Sequence, residues 1–544
     1  MKSVLLKSVG MGAAVALAIF GCTSMYQGAG GGTGGGGTGS SDFLETGQTD
    51  SSLFRAIQVD PRSEDSAGPQ VVRAADLDGD GRLDLVSGWN ESQPIQLHFQ
   101  RRTNAGEVYF RTVPLGGTTP VARITSLEVV DVDNDGRPDI VVLVKDMGIA
   151  GYCDPKRPDC DPTENNGIID GAFMGEIVVF FAPADPVNAP WTPVELIASR
   201  LAGAGNRTDL PEVGGYTAMA VGDVDGDGDP DIVVAFNAAE PLLSTPGSFQ
   251  PSGQTPPGVV DIYPNPGGAA ARQQAQWQRT TIHTGLVYQN LPETAVAIKD
   301  VKLLDVDRDG DLDIVCTYPD AASRNVRWLV NPLEIATTPG DILRDWGEPC
   351  PIGHVQTGAD ILALGDIDRD GVTDVVVRST KGLLVQWFKC PNLPSYSFLR
   401  TPWQVYTLAE FVDRAPSAVA IGDISGDNTV DAVIGAEGAL VWFNPLGPNR
   451  LYDRWRENLI IDDSPPEPAD ADATSGLNTD QLLQLLTDPQ ALPEPRTGTI
   501  INSVLVVDLD GDGDLDVIAT LDRTGNSGLT NDALVWFRSG LRTR

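Results

Sequence analysis

The sequence predicts an all-β fold, a seven-bladed β-propeller with four-stranded antiparallel blades, on three observations. A nine-residue Asp-rich run occurs seven times, and each run is flanked by apolar, β-branched stretches of strand length. After the seventh run the chain supplies one strand too few for a blade, and the missing strand stands before the first run.

The repeats begin at Asp76, Asp131, Asp223, Asp305, Asp366, Asp423 and Asp508, at intervals of 55, 92, 82, 61, 57 and 85 residues. Irregular spacing of a constant motif means a fixed unit carrying insertions of variable length. Before each run lies a stretch such as Ile124 to Val130 or Ile361 to Leu364, and after it a run such as Ile140-Val-Val, Ile232-Val-Val or Val375-Val-Val, the composition of buried strands. The Asp run is therefore a hairpin loop. A third strand follows, often ending in aromatic-x-Asn-Pro or similar (Ile177 to Phe181, Trp328 to Asn331, Leu383 to Phe388, Ala439 to Asn444, Ala533 to Phe537). A fourth opens with Trp191, Trp277, Trp346, Trp403 or Trp455. The seventh unit has only Val517 to Thr520 and Ala533 to Phe537 after its Asp run, so Ser52 to Val59 is expected to complete its blade and remove an exposed sheet edge.

The rest of the composition agrees. The chain has 544 residues, a length that repeat folds reach as one unit. Its 59 Gly and 40 Pro call for many turns. With 38 Lys and Arg against 75 Asp and Glu, the formal charge is −37, which argues against nucleic acid as a partner because no broad surface can neutralise phosphate.

The N-terminus carries Lys2 and Lys7 and then an apolar run from Val9 to Phe20, too short to span a bilayer and of signal-peptide form. It ends Leu17-Ala-Ile-Phe-Gly21-Cys22, which resembles the lipobox of bacterial lipoproteins, with Phe20 departing from the small residue usual there. The resemblance implies lipidation of Cys22 and an anchored protein at the cell envelope, in the outer membrane or at the cell surface. Ordinary secretion, with Cys22 incidental, is the alternative. Residues 27 to 41, QGAGGGTGGGGTGSS, have the composition of a flexible linker. The expected organisation is a signal peptide over 1–22, a linker over 23–51 and the propeller over 52–544. In an oxidising compartment Cys153 and Cys160 are the expected disulfide. Cys316, Cys350 and Cys390 form an odd set whose pairing stays open.

Six runs read D-x-D-x-D-G-x-x-D in full. Carboxylates at positions one, three, five and nine, a backbone carbonyl at seven and a turn-permitting Gly at six make an oxygen cage for a hard cation of Ca²⁺ size. The seven loops hold 30 Asp, two-fifths of all acidic residues, and such a density of like charge calls for a counter-ion. An EF-hand is excluded, because position twelve is Ser87, Val142, Val234, Cys316, Val377, Ile434 or Ala519 instead of Glu, and the flanks are strands.

The Asp motif in strand-loop-strand context, over roughly residues 53 to 540, resembles the FG-GAP/VCBS repeat family, which includes integrin α-subunit propellers and many bacterial surface proteins. The resemblance implies Ca²⁺ ligands Asp76, Asp78, Asp80 and Asp84 in blade one, and Asp131, Asp133, Asp135 and Asp139 in blade two. Blade three offers Asp223, Asp225, Asp227 and Asp231, and blade four Asp305, Asp307, Asp309 and Asp313. Blade five offers Asp366, Asp368, Asp370 and Asp374, blade six Asp423, Asp427 and Asp431, and blade seven Asp508, Asp510, Asp512 and Asp516. Blade six is expected to be the weakest site, since Ser425 replaces a carboxylate and Asn428 the Gly. Each ion is expected to staple its hairpin.

In a propeller the Asp loops share one face with the connections between strands three and four. The large insertions at 146–175, 198–215, 237–257, 284–297 and 462–499 fall on the other, and the last of these contains a predicted helix from Thr479 to Leu486. A scaffold that varies on one face is expected to bind there, and in integrin propellers, by resemblance, that is the ligand face. Trp89, Phe236 and Tyr318, just after second strands, are candidates for a stacking platform near the axis, or else rim residues covering the channel. Three His at scattered positions, no G-x-S-x-G and no zinc motif give no catalytic centre. The expectation is a non-enzymatic, adhesion-like module for an extracellular or envelope protein or glycan. A calcium-dependent polysaccharide lyase or hydrolase is the alternative, and a purely structural envelope protein a third class.

Overall fold

The computed structural model describes residues 53–61, 68–89, 94–115, 124–145, 175–197, 214–238, 258–284, 297–319, 321, 324–333, 346–392, 403–412, 414–447, 451–462, 499–522 and 532–540. Cys22, Cys153, Cys160 and the segment from Thr479 to Leu486 lie outside them, as does most of each large insertion.

The described chain forms seven four-stranded antiparallel sheets. Blade one is β2 (Pro69–Ala75), β3 (Asp84–Trp89), β4 (Gln96–Arg102) and β5 (Val108–Pro114). Blade two is β6 (Ile124–Val130), β7 (Asp139–Lys145), β8 (Gly175–Phe181) and β9 (Thr192–Ile197), and blade three β10 (Gly214–Gly222), β11 (Asp231–Ala238), β12 (Val259–Tyr263) and β13 (Thr280–Thr284). Blade four is β14 (Val301–Leu304), β15 (Asp313–Thr317), β16 (Val326–Leu329) and β17 (Cys350–Gly353), and blade five β18 (Ile361–Gly365), β19 (Asp374–Ser379), β20 (Leu384–Lys389) and β21 (Gln404–Glu410). Blade six is β22 (Pro416–Gly422), β23 (Asp431–Ala436), β24 (Ala439–Asn444) and β25 (Arg456–Asp462). Blade seven is composite: β26 (Val504–Val507), β27 (Asp516–Leu521) and β28 (Ala533–Ser539) are completed by β1 (Phe54–Pro61), which runs antiparallel to β28 with Phe54 opposite Ser539 and Ile57 opposite Trp536.

The blades form a ring because each sheet is apolar on both faces. In β11, Ile232, Val234 and Phe236 pack toward blade two, whereas Val233 and Ala235 pack toward blade four. A strand alternates its side chains between faces, so a strand buried on both is apolar on both, and β3, β15, β23 and β27 are buried along their whole length, with a hydrogen-bonded Asp at the start of each and small Ser or Thr residues as the other polar positions. Seven clusters of buried side chains result, each between two adjacent blades. The last joins blade seven to blade one through Leu509, Ile518 and Trp536 against Val72, Leu85 and Trp89. Edge strands such as β5 and β21 carry exposed polar positions instead.

The tryptophans expected at the start of fourth strands lie just ahead of them and are buried. Trp191, Trp277 and Trp455 each donate an indole N–H to a carbonyl of the preceding turn, those of Pro186, Ala271 and Leu451, at 2.9 Å. They tie the third-to-fourth connection down on the blade, which uses both the apolar ring and its single donor.

Candidate cation centres

Each Asp run closes the hairpin between the first and second strands of its blade. In blade four, Asp305 Oδ1 accepts the N–H of Asp309 and Oδ2 that of Gly310, both at 3.1 Å, and Asp309 Oδ1 accepts the N–H of Asp311 at 3.0 Å. The same contacts recur in blades one, two, five and seven. Position six needs a positive φ, for example +100° at Gly310, and Asn428 supplies it in blade six with φ 68°.

The ninth-position Asp opens the second strand and is fully buried in all seven blades. In every blade but the sixth, where Asp431 Oδ1 has no partner, it is a clasp as well as a candidate ligand. Asp313 Oδ2 accepts the Val306 N–H at 2.9 Å, and its Oδ1 accepts the Asn331 N–H at 2.7 Å, so one carboxyl joins the loop to the end of the third strand. Burial raises these carboxyls to about 7 in Asp84, Asp139, Asp231, Asp374 and Asp516, and to about 8 in Asp313 and Asp431, although the backbone N–H bonds pull the other way. A nearby cation would favour the ionised form.

Oxygens from positions one, three and nine lie within 4.8 Å of one another in each of the first five blades: Asp76, Asp78 and Asp84; Asp131, Asp133 and Asp139; Asp223, Asp225 and Asp231; Asp305, Asp307 and Asp313; Asp366, Asp368 and Asp374. The third-position carboxylates supply buried oxygens with no hydrogen-bond partner, namely Asp78 Oδ1, Asp133 Oδ1, Asp368 Oδ1 and both oxygens of Asp307. Several anionic oxygens converging on one point, some of them otherwise unsatisfied, fit a hard divalent cation. The fifth-position carboxylates Asp80, Asp135, Asp227, Asp309 and Asp370 stand outside these triads, because each turns Oδ1 toward the N–H of position seven. In blade six Asp423 Oδ1 lacks a partner, and Asp423 Oδ2 pairs with Arg369 of blade five at 3.0 Å.

Among known families, the FG-GAP-like repeat model matches residues 76–142, the stretch from the first Asp loop to the second strand of blade two. The chain carries an FG-GAP-like repeat. No curated protein matches it. Two similar solved structures share 13% identity each. One is an Agrocybe aegerita lectin, described by its specific recognition of non-reducing terminal N-acetylglucosamine, with TM-score 0.41 over 73% of this chain and 81% of the other. The other is BBS1N, solved in complex with ARL6DN, with TM-score 0.40 over 89% and 96%.

Two features of the seven loops have no counterpart in the Asp motif. In four blades the third-position carboxylate pairs with a basic side chain: Asp78 with Arg101 at 2.6 Å, Asp133 with Arg272, Asp368 with Lys389, and Asp510 with Arg538 at 2.6 Å. Arg101, Lys389 and Arg538 sit on third strands, and their charge was visible in sequence while their aim was not. The second feature is a side-chain amide following the clasp. Asn331 Nδ2 donates to Leu312 O of its own loop and to Val224 O of the blade-three loop, both at 2.9 Å. Asn265 Nδ2 likewise joins Pro230 O at 3.0 Å and Val132 O at 2.8 Å, and Gln100 Nε2 joins Leu83 O at 3.0 Å and Leu509 O at 2.6 Å. Each amide therefore bonds position eight of its own loop and position two of the preceding blade's loop.

The structure corrects the stacking platform. Trp89, Phe236 and Tyr318 are each 0% exposed, packed between blades seven and one, two and three, and three and four. They are the last interface residues of their hairpins, and a ring with no free face cannot stack on a ligand. Trp89 Nε1 donates to Ser87 Oγ at 2.8 Å, and Ser87 Oγ lies 2.7 Å from His98 Nε2. Ser87 and His98 are also 0% exposed, so this Ser–His contact has no path to a substrate. Cys316 and Cys390 are buried thiols.

Proposed function

We propose that the chain is an FG-GAP/VCBS-type propeller of the cell envelope, anchored through Cys22, whose Asp loops hold Ca²⁺ as structural staples and whose insertion-bearing face binds an extracellular or envelope protein or glycan without catalysis. The observation that carries the reading is the set of third-position carboxylate oxygens that are buried, unpartnered and gathered with those of positions one and nine. A bound Ca²⁺ would take these oxygens and neutralise a loop whose own charges repel. Asp307 fits best, with both oxygens waiting for a partner. The blade-six loop fits least well, with Ser425 at position three.

The insertions join second to third strands (β7 to β8, β11 to β12) or one blade to the next (β9 to β10, β13 to β14, β25 to β26). In an antiparallel blade those connections lie opposite the Asp hairpins, which leaves the staples free of any role in contacting the ligand.

The test is calcium stoichiometry by elemental analysis, with thermal unfolding in calcium and in EDTA. Six or seven ions per chain and a sharp fall in melting temperature on chelation are the expected result; no bound calcium and no shift would refute it. The binding face is tested by probing glycan and envelope-protein arrays with the protein and with a variant in which 146–174 is replaced by a two-residue Asn-Gly turn, which should lose the interaction while keeping its calcium.

A further inference from the structure

The seven loops share a motif but not an electrostatic setting. In blades one, two, five and seven a guanidinium or ammonium group sits on the third-position carboxylate, and Lys389 reaches both Asp368 and Asp370. Among the described residues no basic side chain pairs with Asp225 or Asp307. Lys389 leaves Asp368 Oδ1 unpartnered, so the cage stays open, but a fixed positive charge beside it opposes a dication by direct repulsion and makes the cation-free loop less costly.

The loops of blades three and four are also joined to each other, by the kind of bridge that Asn265 makes from blade three to the blade-two loop and Gln100 from blade one to the blade-seven loop; of these bridged pairs, it is in three and four that neither third-position carboxylate has a basic partner among the described residues. Asp313 Oδ1 accepts the Asn331 N–H, Asn331 Nδ2 donates to Val224 O, and the Val224 N–H donates to Asp231 Oδ2 at 2.9 Å. This chain of short bonds runs from the buried cage carboxylate of one blade to that of the next, so ordering either loop fixes a residue of the other. The position of Asn331 is taken by Cys390 in blade five, Ala182 in blade two and Ser539 in blade seven, each donating its backbone N–H to the clasp at 2.7 Å, and the first two carry no side-chain amide, alcohol or other strong donor.

We propose that the loops are unequal cation sites: those of blades three and four form a coupled pair of tight Ca²⁺ sites, and those of blades one, two, five and seven are weaker sites whose built-in Arg or Lys competes with the ion. This rests on the calcium reading above. It makes blades three and four the part of the ring that holds calcium when the ion is scarce, and it lets the other blades stay neutralised without it.

The test is peptide-resolved hydrogen exchange of the full chain across a series of buffered free calcium concentrations. Peptides over 223–231 and 305–313 should gain protection together, at a midpoint about tenfold or more below that of peptides over 76–84 and 366–374. One common midpoint for all loops, or the reverse order, would overturn the proposal and leave the calcium reading intact; no response at any concentration would remove both. Lys389→Gln should lower the midpoint of its own loop by about tenfold and move no other. An unchanged or raised midpoint there would overturn the competition. Asn331→Ala should split the shared midpoint of blades three and four, and a midpoint that stays shared would overturn the coupling.

Discussion

Gln100 is the hinge pin between the first and last blades, and its removal gives a quantitative test of how the ring closes. The side chain is 0% exposed, and its Nε2 donates to Leu83 O at 3.0 Å and to Leu509 O at 2.6 Å, across 409 residues of sequence. Gln100→Met keeps the volume and removes both bonds. Leaving a buried acceptor without its donor costs about 1–3 kcal/mol, so the two together cost roughly 2–6 kcal/mol. Gln100 Oε1 has no partner, and losing that buried oxygen returns about 1–2 kcal/mol. The net lies in the range of about 0–5 kcal/mol and centres on about 2–3 kcal/mol, a factor of roughly 30 to 150 in the ratio of folded to unfolded chain. The assay is urea unfolding followed by tryptophan fluorescence, run once in EDTA and once in calcium. Because the bridge joins the cation loops of blades one and seven, the loss should be present in EDTA and at least as large in calcium, where the ions order the loops it connects. A loss below about 0.5 kcal/mol in both conditions would refute the view that this amide pins the seam.

The cage itself is tested at Asp307. Asp307→Asn should lower calcium stoichiometry by one, while in EDTA the variant should be no less stable than the parent, since burial already pushes this carboxyl up to about 6 and the amide carries no charge; undiminished stoichiometry would count against Asp307 as a ligand. Acid sensitivity is expected from His283, which burial, assisted by Arg327, lowers to about 4 while its Nε2 lies 3.2 Å from Tyr318 Oη. A base whose folded value lies below its unfolded value of about 6.5 favours the native state above that pH and loses the contribution as pH falls toward 4, so His283→Gln should flatten that limb of the stability profile by about 2 kcal/mol, and an unchanged limb would assign it elsewhere. Deleting residues 53–61 removes β1 and leaves β28 as an open edge, so the protein should associate in a concentration-dependent way by light scattering. A persistent monomer would mean that β1 is dispensable.

The architecture was legible because two independent periodicities agree in the sequence. Runs such as Ile232 to Phe236 are apolar at every position, and only a strand packed on both faces tolerates that; the Asp run that precedes each one fixes where the hairpin turns. The same runs explain the misreading of Trp89, Phe236 and Tyr318. Continuous apolarity does not reveal which alternate residue faces which neighbour, and a large aromatic at the end of such a run reads equally as an interface residue or as a rim residue. Only the seven interblade clusters decide it, because they are built from pairs of segments tens to hundreds of residues apart.

The candidate centres were legible in the carboxylates that cluster at positions one, three and nine, and illegible in position five, which turns to the loop's own backbone, and in the differences between loops. Carboxylate spacing within nine residues is local, so positions one, three and nine converge as the motif requires. What distinguishes one loop from another comes from outside the motif: Arg101 from the end of β4, Arg272 from blade three acting on blade two, and Asn331 reaching back to Val224. The Asn that ends third strands was visible as a recurring mark, yet its role depends on a carbonyl in the preceding blade. Cys390 and Ala182 stand at that position without an amide, and their N–H still meets the clasp carboxylate at 2.7 Å. The backbone contact is thus kept in six of the seven blades with Gln, Ala, Asn, Cys or Ser at that position, which leaves the side chain free to vary. Coupling between neighbouring loops can therefore be present in one blade and absent in the next without disturbing the ring, and a single substitution such as Ala182→Asn should add an amide bridge between the Asp loops of blades one and two, where none is present among the described residues.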